Sequence, residues 1–366
     1  MFLLLNKDVV WAEFDVVTTS GFESIKITRE NRTLIYPWIK DIASFILNRR
    51  APKHRAHIRE LLKQCGCDTL QGYLDISHAL SLNDTIWVKR SNDKITWDSV
   101  SLYRHPFNTV IAKAAFSGGL FGNKFSTTSP EFGTDGTFAK CWVREGGKIK
   151  LVKRGSEGYS NSGLEPYSEF YASQILREFG ARSVSYGLTM HSGKLASKCE
   201  LFTSEDYGLV PFSALTSTGD IGALADWYNK HGLIHQFAEM IIADALILNQ
   251  DRHLGNFGFL FETATGKIVG TAPLYDHNVS LLCYASEVDL GSSSSLDNYL
   301  SRVNFGPKLY DDFIGTAKRL MTPDLRKRLV RLKGVKLKKH SRYNLPDWRI
   351  ACLNYVINDQ IRLLLK

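Results

Sequence analysis

Long hydrophobic runs and cysteine-rich motifs are both missing from this 366-residue chain. Every apolar run is far shorter than the roughly 18 residues that span a bilayer, so a membrane protein is not expected. The first residues, MFLLLN, lack the cationic segment and the small-residue cleavage site of a signal peptide, and we expect a cytoplasmic protein. The six cysteines include one C-x-C and no C-x-x-C pair, so we expect reduced, mostly buried thiols and neither a zinc site nor a disulfide framework.

Two further absences narrow the function. No Walker sequence GxxxxGK[ST] occurs, which argues against a P-loop nucleotide site. No internal repeat with a fixed period is present, so a solenoid or propeller is not expected. What the chain does have is 44% hydrophobic residues and enough length for two or three domains or lobes with a large core.

Positive charge is concentrated in one segment of the chain. The net charge is +9, and residues 324–342, DLRKRLVRLKGVKLKKHSR, hold nine Lys and Arg against one Asp. Such a stripe could contact nucleic acid, an acidic partner or a phosphorylated substrate. Basic runs on helices are more often solvated faces, and no aromatic interleaving or groove-reading motif accompanies this one, so both interpretations stay open.

Hydrophobic patterning divides the chain into three segments. Residues 1–110 combine the strand-like VVWAEFDVV with two segments of helical spacing and indicate a small N-terminal subdomain. Residues 111–210 contain a loop-rich stretch (117–137), the hairpin FAKCWVRE and KIKLVKRG around a Gly-Gly turn, and the helix EPYSEFYASQILREFG, which Gly180 closes. Residues 211–366 are mostly helical. The apolar residues of GLIHQFAEMIIADALIL recur at helical spacing, and the serine-rich GSSSSLDN (291–298) is a loop or an N-cap region. A strand-rich lobe followed by a helix-rich lobe predicts a two-lobed α+β fold of the protein-kinase type.

A cluster of polar residues interrupts the apolar sequence ILNQDRHLGNFGFLFE at 247–262. Asp251 and Asn256 are five residues apart, the spacing at which a kinase loop aims a carboxylate at the substrate hydroxyl and returns an amide oxygen to the metal. About twenty residues further, Asp276 in APLYDHN stands where a second magnesium carboxylate is expected. We therefore predict Asp251 as base or orienting group and Asn256 and Asp276 as Mg²⁺ ligands, while His253 and Asn249 brace the loop. Arg252 is interpreted as a surface or structural contact. Ordinary capping and turn chemistry is the alternative.

A kinase also needs positive charge on the nucleotide phosphates, held in place by a helix carboxylate. Lys153 on the second hairpin strand is the predicted phosphate contact, with Lys148, Lys150 and Arg154 as competitors. Its predicted partner is Glu169 in the following helix, with Glu165 as the rival.

The turn before the hairpin, SPEFGTDGTFAK, is a second candidate for phosphate contact. Gly133, Thr134, Asp135 and Gly136 offer backbone amides that could lie near a nucleotide. This motif is a weak one when it is taken alone.

At these residues the chain resembles the HipA-like serine/threonine kinases, a bacterial family whose best known members are toxins of toxin–antitoxin systems. The resemblance covers roughly residues 120–360. It is carried by NQDRHLGNFGFL for the catalytic loop, APLYD for the metal aspartate, SEFYASQILREFG for the lobe helix and LVK for the ATP lysine. At the position of the family's phosphate loop this chain reads FGTDGTFAK, whereas the family usually has a sequence closer to GxQxK.

The resemblance implies an ATP- and Mg²⁺-dependent kinase acting on Ser or Thr of a protein, with an antitoxin as a further partner. It implies that Glu200, Leu201 and Phe202 line the adenine pocket with their backbone. Because such kinases can be silenced by autophosphorylation of a loop residue, Thr128, Ser129 and Thr134 become candidate sites.

Two other functions stay open at this point. The pattern DRHxxN also occurs in phosphoinositide kinases, which leaves a lipid or small-molecule substrate as an alternative. Asp276 is followed by His-Asn and not by the Phe-Gly of those enzymes, which favours the protein kinase. A kinase-shaped module that binds nucleotide or a partner without catalysis is the alternative from another class.

Overall fold

The structure, a computed structural model, describes residues 1–119, 127–158, 161–216 and 218–366. Strands and helices alternate through the first two thirds of the chain, and helices dominate the last third. The strands are β1 Phe2–Asn6, β2 Val9–Thr19, β3 Phe22–Glu30, β4 Ile86–Arg90, β5 Lys140–Glu145, β6 Lys148–Arg154, β7 Tyr186–His191, β8 Lys194–Glu200, β9 Tyr207–Pro211, β10 Gly258–Glu262 and β11 Ile268–Thr271. The α-helices are α1 Ile42–Leu47, α2 Ile58–Gln64, α3 Leu70–Ser77, α4 Trp97–Val100, α5 Thr109–Ser117, α6 Glu165–Phe179, α7 Ile221–Lys230, α8 Ile234–Ile247, α9 Glu287–Leu290, α10 Ser293–Asn304, α11 Phe313–Arg319, α12 Pro323–Leu332 and α13 Asp347–Leu365.

The chain forms two compact units. Unit 1 contains Met1–Lys153, Glu200–Val210 and Leu260–Val269, and unit 2 contains Arg154–Cys199, Pro211–Phe259 and Gly270–Lys366. The three predicted segments, 1–110, 111–210 and 211–366, follow the chain in simple order, whereas each unit collects pieces that are distant in sequence. Their division stays a prediction.

Unit 1 is organised around an antiparallel sheet of order β3-β2-β1-β4. Four of the five residues of β1 are buried, and β2 buries Trp11, Ala12 and Phe14, so these two strands supply part of the core of the unit. A buried ion pair ties α1's C-terminal end to the strand region, because Arg49 donates two hydrogen bonds to the Asp84 carboxylate at 2.7 and 2.9 Å. The helix and strand patterns that were predicted for residues 1–110 are present in this unit.

The predicted hairpin is also present, as β5 and β6. The strands pair antiparallel from Glu145 opposite Lys148 to Lys140 opposite Lys153. Gly146 and Gly147 join them with φ of 59° and 76°. A two-residue turn with positive φ at both positions matches the twist of a hairpin, and glycine adopts it without a steric cost.

Unit 2 is built on helices, of which α13, α6 and α8 are the longest. On α8 every residue from Phe237 to Ile247 except Glu239 is buried, which agrees with the predicted apolar run. Helix α6 ends at Gly180, whose φ of 81° is the left-handed conformation expected of a C-terminal glycine. The serine-rich segment begins α10, where Ser292 accepts a hydrogen bond from the Ser295 N–H as the N-cap.

Two expectations about loops and membranes can be placed on this fold. The loop-rich stretch predicted over 117–137 lies partly outside the described residues, since 120–126 are not among them. In the part of the chain that the structure describes, no helix is both long and apolar enough to cross a bilayer.

The cysteines give a first testable prediction. No disulfide joins the six cysteines, which all lie among the described residues, and four of them are buried. Burial raises the pKa of Cys65 to about 11 and that of Cys67 to about 12. Because the thiolate is the reactive form, these side chains react slowly near pH 8. We expect a disulfide reagent to modify the half-buried Cys199 and Cys352 first in the native protein, and all six thiols only after unfolding. Modification of all six at one rate in the native protein would contradict this expectation.

Candidate active site

The predicted catalytic loop follows directly from the end of α8. The helix stops at Leu248, which adopts a left-handed conformation with φ of 54° and donates its N–H to the Asp244 carbonyl. A β-carbon makes this conformation unfavourable outside glycine, so the surrounding structure must enforce it. The reversal turns the chain out of the helix and into the polar residues 249–256.

A buried ion pair fixes the base of this loop. Arg252 donates from Nε and Nη2 to the two carboxylate oxygens of Asp244, each at 2.8 Å, and both side chains have 0% exposure. Burial acts to lower the pKa of Arg252, but the Asp244 carboxylate outweighs it and raises that pKa above its ordinary value. The guanidinium therefore stays charged inside the protein, and the pair stabilises the loop only as long as both partners are present.

Asn249 adds a second brace. Its Nδ2 donates to Asp244 Oδ1 at 3.2 Å, and its Oδ1 accepts the Asp251 N–H at 3.2 Å. The side chain is fully buried, so it links the helix end to the backbone of Asp251 without solvent contact. This geometry agrees with the bracing role that was predicted for Asn249.

Asp251 and Asn256 are joined within the loop. Asn256 Nδ2 donates to the Asp251 carbonyl at 2.6 Å, and Asn256 Oδ1 accepts the His253 N–H at 2.9 Å. The Asp251 side chain is 22% exposed and forms an ion pair with Lys308. The loop thus holds Asp251 through its backbone, while the carboxylate pairs with a lysine from outside the loop.

His253 contacts the loop through its ring as well as through the backbone N–H that bonds Asn256. Its ring is exposed, and Nδ1 accepts the Gly255 N–H at 3.1 Å. The structure therefore gives the imidazole a local turn contact.

Asp276 lies at a second strained position. Its φ is 59°, and its N–H donates to the Tyr186 hydroxyl at 3.1 Å. Arg252 Nη1 donates to the Asn256 carbonyl at 2.8 Å and to the Tyr275 carbonyl at 3.1 Å. One buried guanidinium nitrogen therefore ties the backbone of the catalytic loop to the residue that precedes Asp276.

The donor atoms of Asn256 and Asp276 suit a magnesium ion. Asn256 Oδ1 accepts one hydrogen bond and has a second lone pair, and a carboxylate and an amide oxygen are hard ligands. Magnesium at nucleotide sites commonly takes one or two carboxylates and completes its shell with phosphates and water. Within the described residues, no group of three or more His, Cys, Asp or Glu could hold a metal ion.

Comparison with known proteins gives one curated relative. No protein-family model matches the chain. The chain is 28% identical over 166 residues to the serine/threonine-protein kinase CtkA of Helicobacter pylori, a match that covers 40% of this chain and 50% of the relative. The aligned part thus spans about half the length of that curated relative.

Similarity to a solved structure identifies the fold. HipA of Shewanella oneidensis, in a complex with HipB and operator DNA, matches with a TM-score of 0.56 and 12% identity over 99% of this chain and 97% of HipA. The chain has the HipA-like kinase fold. The crystal structure of Helicobacter pylori CtkA also matches, with a TM-score of 0.48 and 17% identity over 62% of this chain and 92% of that one.

The predicted α+β fold of HipA-like type and the predicted family resemblance are both confirmed.

Burial separates two of the four candidate cations from the other two. Lys153 and Arg154 are each 6% exposed. Lys148 pairs with Glu200 at 2.7 Å, Lys150 pairs with Glu145 at 2.8 Å, and Arg154 forms an ion pair with Glu157. Burial therefore does not distinguish Lys153 from Arg154, and the choice of Lys153 as the phosphate contact stays a prediction.

The two helix carboxylates also differ in their surroundings. Glu169 on α6 is fully buried and accepts a hydrogen bond from Ser197 on β8. Glu165 accepts hydrogen bonds from Ser156 and, at 3.1 Å, from the Tyr284 hydroxyl. Both carboxylates lie in unit 2, and the choice of Glu169 over Glu165 stays a prediction.

Residues 133–136, the predicted phosphate turn, already form contacts within the protein. A β-carbon at Gly133 would lie 2.7 Å from the Leu80 carbonyl, so this glycine permits close packing. Thr134 Oγ1 donates to the Pro130 carbonyl and accepts from the Trp142 indole at 2.8 Å. The exposed Asp135 accepts the Gly136 N–H at 2.7 Å.

The candidate autophosphorylation sites are likewise hydrogen-bonded in unit 1. Thr128 Oγ1 donates to the Ser77 carbonyl at 3.1 Å, and the buried Ser129 hydroxyl donates to Glu131. Thr134 has the contacts described above. Each hydroxyl would have to leave its present partner before it could accept a phosphate.

The predicted adenine segment has one amide that is already used. Leu201 donates its N–H to the Ile149 carbonyl at 2.9 Å, and the Glu200 side chain pairs with Lys148. The Leu201 side chain packs against the buried cluster that contains Trp87 and Trp97. A nucleotide base would thus have to use other backbone groups than the Leu201 amide within Glu200, Leu201 and Phe202.

The basic segment 324–342 begins on α12 and continues into a loop. Leu325, Leu329 and Leu332 are its buried face. Three of its nine cations form ion pairs, which are Arg328 with Glu239 and Asp324, Lys338 with Glu178, and Lys339 with Asp347. Part of the positive charge is therefore balanced within the fold, and the role of the segment stays open.

Two residues of the site, Asp244 and Lys308, were missed by the sequence reasoning, and a third, Arg252, was given no specific partner. Asp244 is an acid inside the apolar helix run MIIADALIL, and a buried acid requires a partner, which is a signal that the sequence contains. Arg252 was interpreted as a surface or structural contact, and the structure makes it a fully buried structural one. Lys308, which pairs with Asp251, lies 57 positions downstream and carries no local signal.

Proposed function

We propose that the chain is an ATP- and Mg²⁺-dependent protein kinase that transfers the γ-phosphate to a Ser or Thr hydroxyl of a protein. The observation that carries this proposal is the geometry of the catalytic loop. Asn256 holds the Asp251 backbone at 2.6 Å, and Arg252 ties Asn256 to the residue before Asp276. The kinase-like fold and the similarity to CtkA support the same assignment.

In the proposed reaction, Asp251 accepts a hydrogen bond from the substrate hydroxyl and orients its oxygen. The hydroxyl oxygen forms a bond to the γ-phosphorus, the bond from that phosphorus to the β,γ-bridging oxygen breaks, and ADP leaves with the electron pair. The hydroxyl proton passes to the Asp251 carboxylate. When bound at Asn256 and Asp276, Mg²⁺ would supply neutralising charge on the phosphate oxygens.

The direct test uses ATP labelled at the γ-phosphate, with a cell lysate as the source of substrate. We expect label on Ser or Thr of one or more proteins in the presence of Mg²⁺, and a loss of labelling when EDTA removes the metal. ATP labelled at the α-phosphate is the matched control and should transfer nothing. Label that appears only in lipid or small molecules would redirect the substrate class, and undiminished transfer in EDTA would reject the metal dependence.

A partner of antitoxin type is a further part of this proposal. The HipA structure that matches this chain contains HipB and operator DNA. We propose an analogous partner here, a cytoplasmic location and the capacity for autophosphorylation. Growth arrest on expression of the chain, relieved by co-expression of a neighbouring gene, would support the partner, and normal growth would count against a toxin.

A further inference from the structure

The Asp251 carboxylate already has a cationic neighbour in the protein. The Lys308 ammonium forms an ion pair with Asp251 Oδ1. The guanidinium of Arg252, the residue after Asp251, is paired with Asp244 instead. The Lys308 side chain is 63% exposed, in contrast to the 22% of Asp251. The proposed base therefore pairs with one largely exposed cation, Lys308, while the buried cation next to it in the chain pairs with Asp244.

The backbone keeps Lys308 beside the catalytic loop. Lys308 donates its N–H to the Gln250 carbonyl at 3.2 Å, directly before Asp251 in the chain. At Gly306 an added β-carbon would lie 2.3 Å from Gln250 Nε2, so the two segments touch closely there. Leu309 and Tyr310, which follow Lys308, are buried. These contacts hold the backbone of Lys308 in place, so the ammonium changes its position only through rotations in the flexible four-carbon side chain.

The charge of Asp251 changes during the proposed reaction. As the carboxylate takes up the hydroxyl proton, its attraction for a cation falls, while the transferring phosphoryl group still carries negative charge on its oxygens. A tethered ammonium within reach of both groups would then be better placed at the phosphoryl oxygens. No additional residue has to move into the site for this exchange.

We propose that Lys308 is a catalytic residue that exchanges partners. It pairs with Asp251 in the free protein and contacts the γ-phosphoryl oxygens of ATP when Asp251 receives the substrate hydroxyl. This inference rests on the proposed kinase function and adds to it a phosphate contact that comes from outside the catalytic loop.

The test compares the wild-type protein with Lys308→Met and Lys308→Arg. Lys318, an exposed lysine on α11 that forms no ion pair among the described residues, provides the control variant Lys318→Met. Binding of ADP and of a non-hydrolysable ATP analogue is measured for each with Mg²⁺ present, and kcat is measured where transfer is observed. Because Lys308 is exposed, we expect all the variants to fold, which a thermal melt checks.

We expect Lys308→Met to weaken the ATP analogue about 10-fold and to leave ADP, which lacks the γ-phosphate, unchanged. We expect kcat to fall by about 10²-fold, with partial recovery in Lys308→Arg. Equal weakening of both nucleotides, or no change in either, would overturn the assignment. So would a faster reaction in Lys308→Met, because the lysine would then be blocking Asp251. If the wild-type protein transfers no phosphate, the proposed function fails, and the binding difference between the two nucleotides still decides the role of Lys308.

Discussion

Asp251→Asn is expected to lower the rate of γ-phosphate transfer by about 10² to 10⁴-fold while the protein stays folded. The amide has the shape of the carboxylate but cannot accept the hydroxyl proton. The contacts that hold residue 251 in place use its backbone, with the carbonyl bound to Asn256 and the N–H to Asn249. These contacts survive the substitution. Transfer rates and a urea unfolding curve, measured on the same preparation, provide the two readouts.

The matched control is Asp226→Asn. Asp226 is an exposed aspartate on α7 that forms no ion pair among the described residues, so we expect neither readout to change. The lost pair with Lys308 is partly exposed and should cost Asp251→Asn no more than about 1 kcal/mol in unfolding free energy. Full activity in Asp251→Asn would refute its role as base. A large loss of stability would mean that the carboxylate is structural.

Local patterns in the sequence predicted the elements that local interactions determine. The Gly146–Gly147 turn, the Gly180 helix end and the apolar face of α8 each need only a few neighbouring residues, and each was predicted. The spacing of Asp251 and Asn256 belongs to the same class, because the hydrogen bond between them closes within one short loop.

Contacts between distant segments could not be predicted in the same way. The ion pair of Lys308 with Asp251 joins positions that share no pattern, and the hydrogen bonds of Arg252 to the carbonyls of Asn256 and Tyr275 depend on backbone positions. The use of the Leu201 amide by Ile149 is likewise a matter of strand geometry. A single sequence without its fold does not specify such partners.

Removing Arg252 is expected to destabilise the protein by about 3–5 kcal/mol, because the substitution leaves the Asp244 carboxylate buried without its counter-charge. Arg252→Met also removes the hydrogen bonds to the Asn256 and Tyr275 carbonyls. Asp244→Leu should cost a similar amount for the opposite reason, since it leaves a buried guanidinium unpaired. Urea unfolding of each variant measures the loss. Lys338→Met is the control, because the Lys338 side chain is 76% exposed in its pair with Glu178, and its loss should cost about 1 kcal/mol or less.

The double variant Asp244→Leu with Arg252→Met separates stability from function. With both charges gone, no uncompensated ion remains in the interior, so we expect the double variant to be more stable than either single variant. Phosphate transfer should stay low in all three variants. Two of them lack the Arg252 guanidinium that ties the Asn256 carbonyl to the Tyr275 carbonyl, and Asp244→Leu removes the carboxylate that holds this guanidinium in place. Additive losses of stability in the double variant would contradict the buried pair. Restored transfer would show that the Arg252 bonds to the two carbonyls are not needed to position the loop.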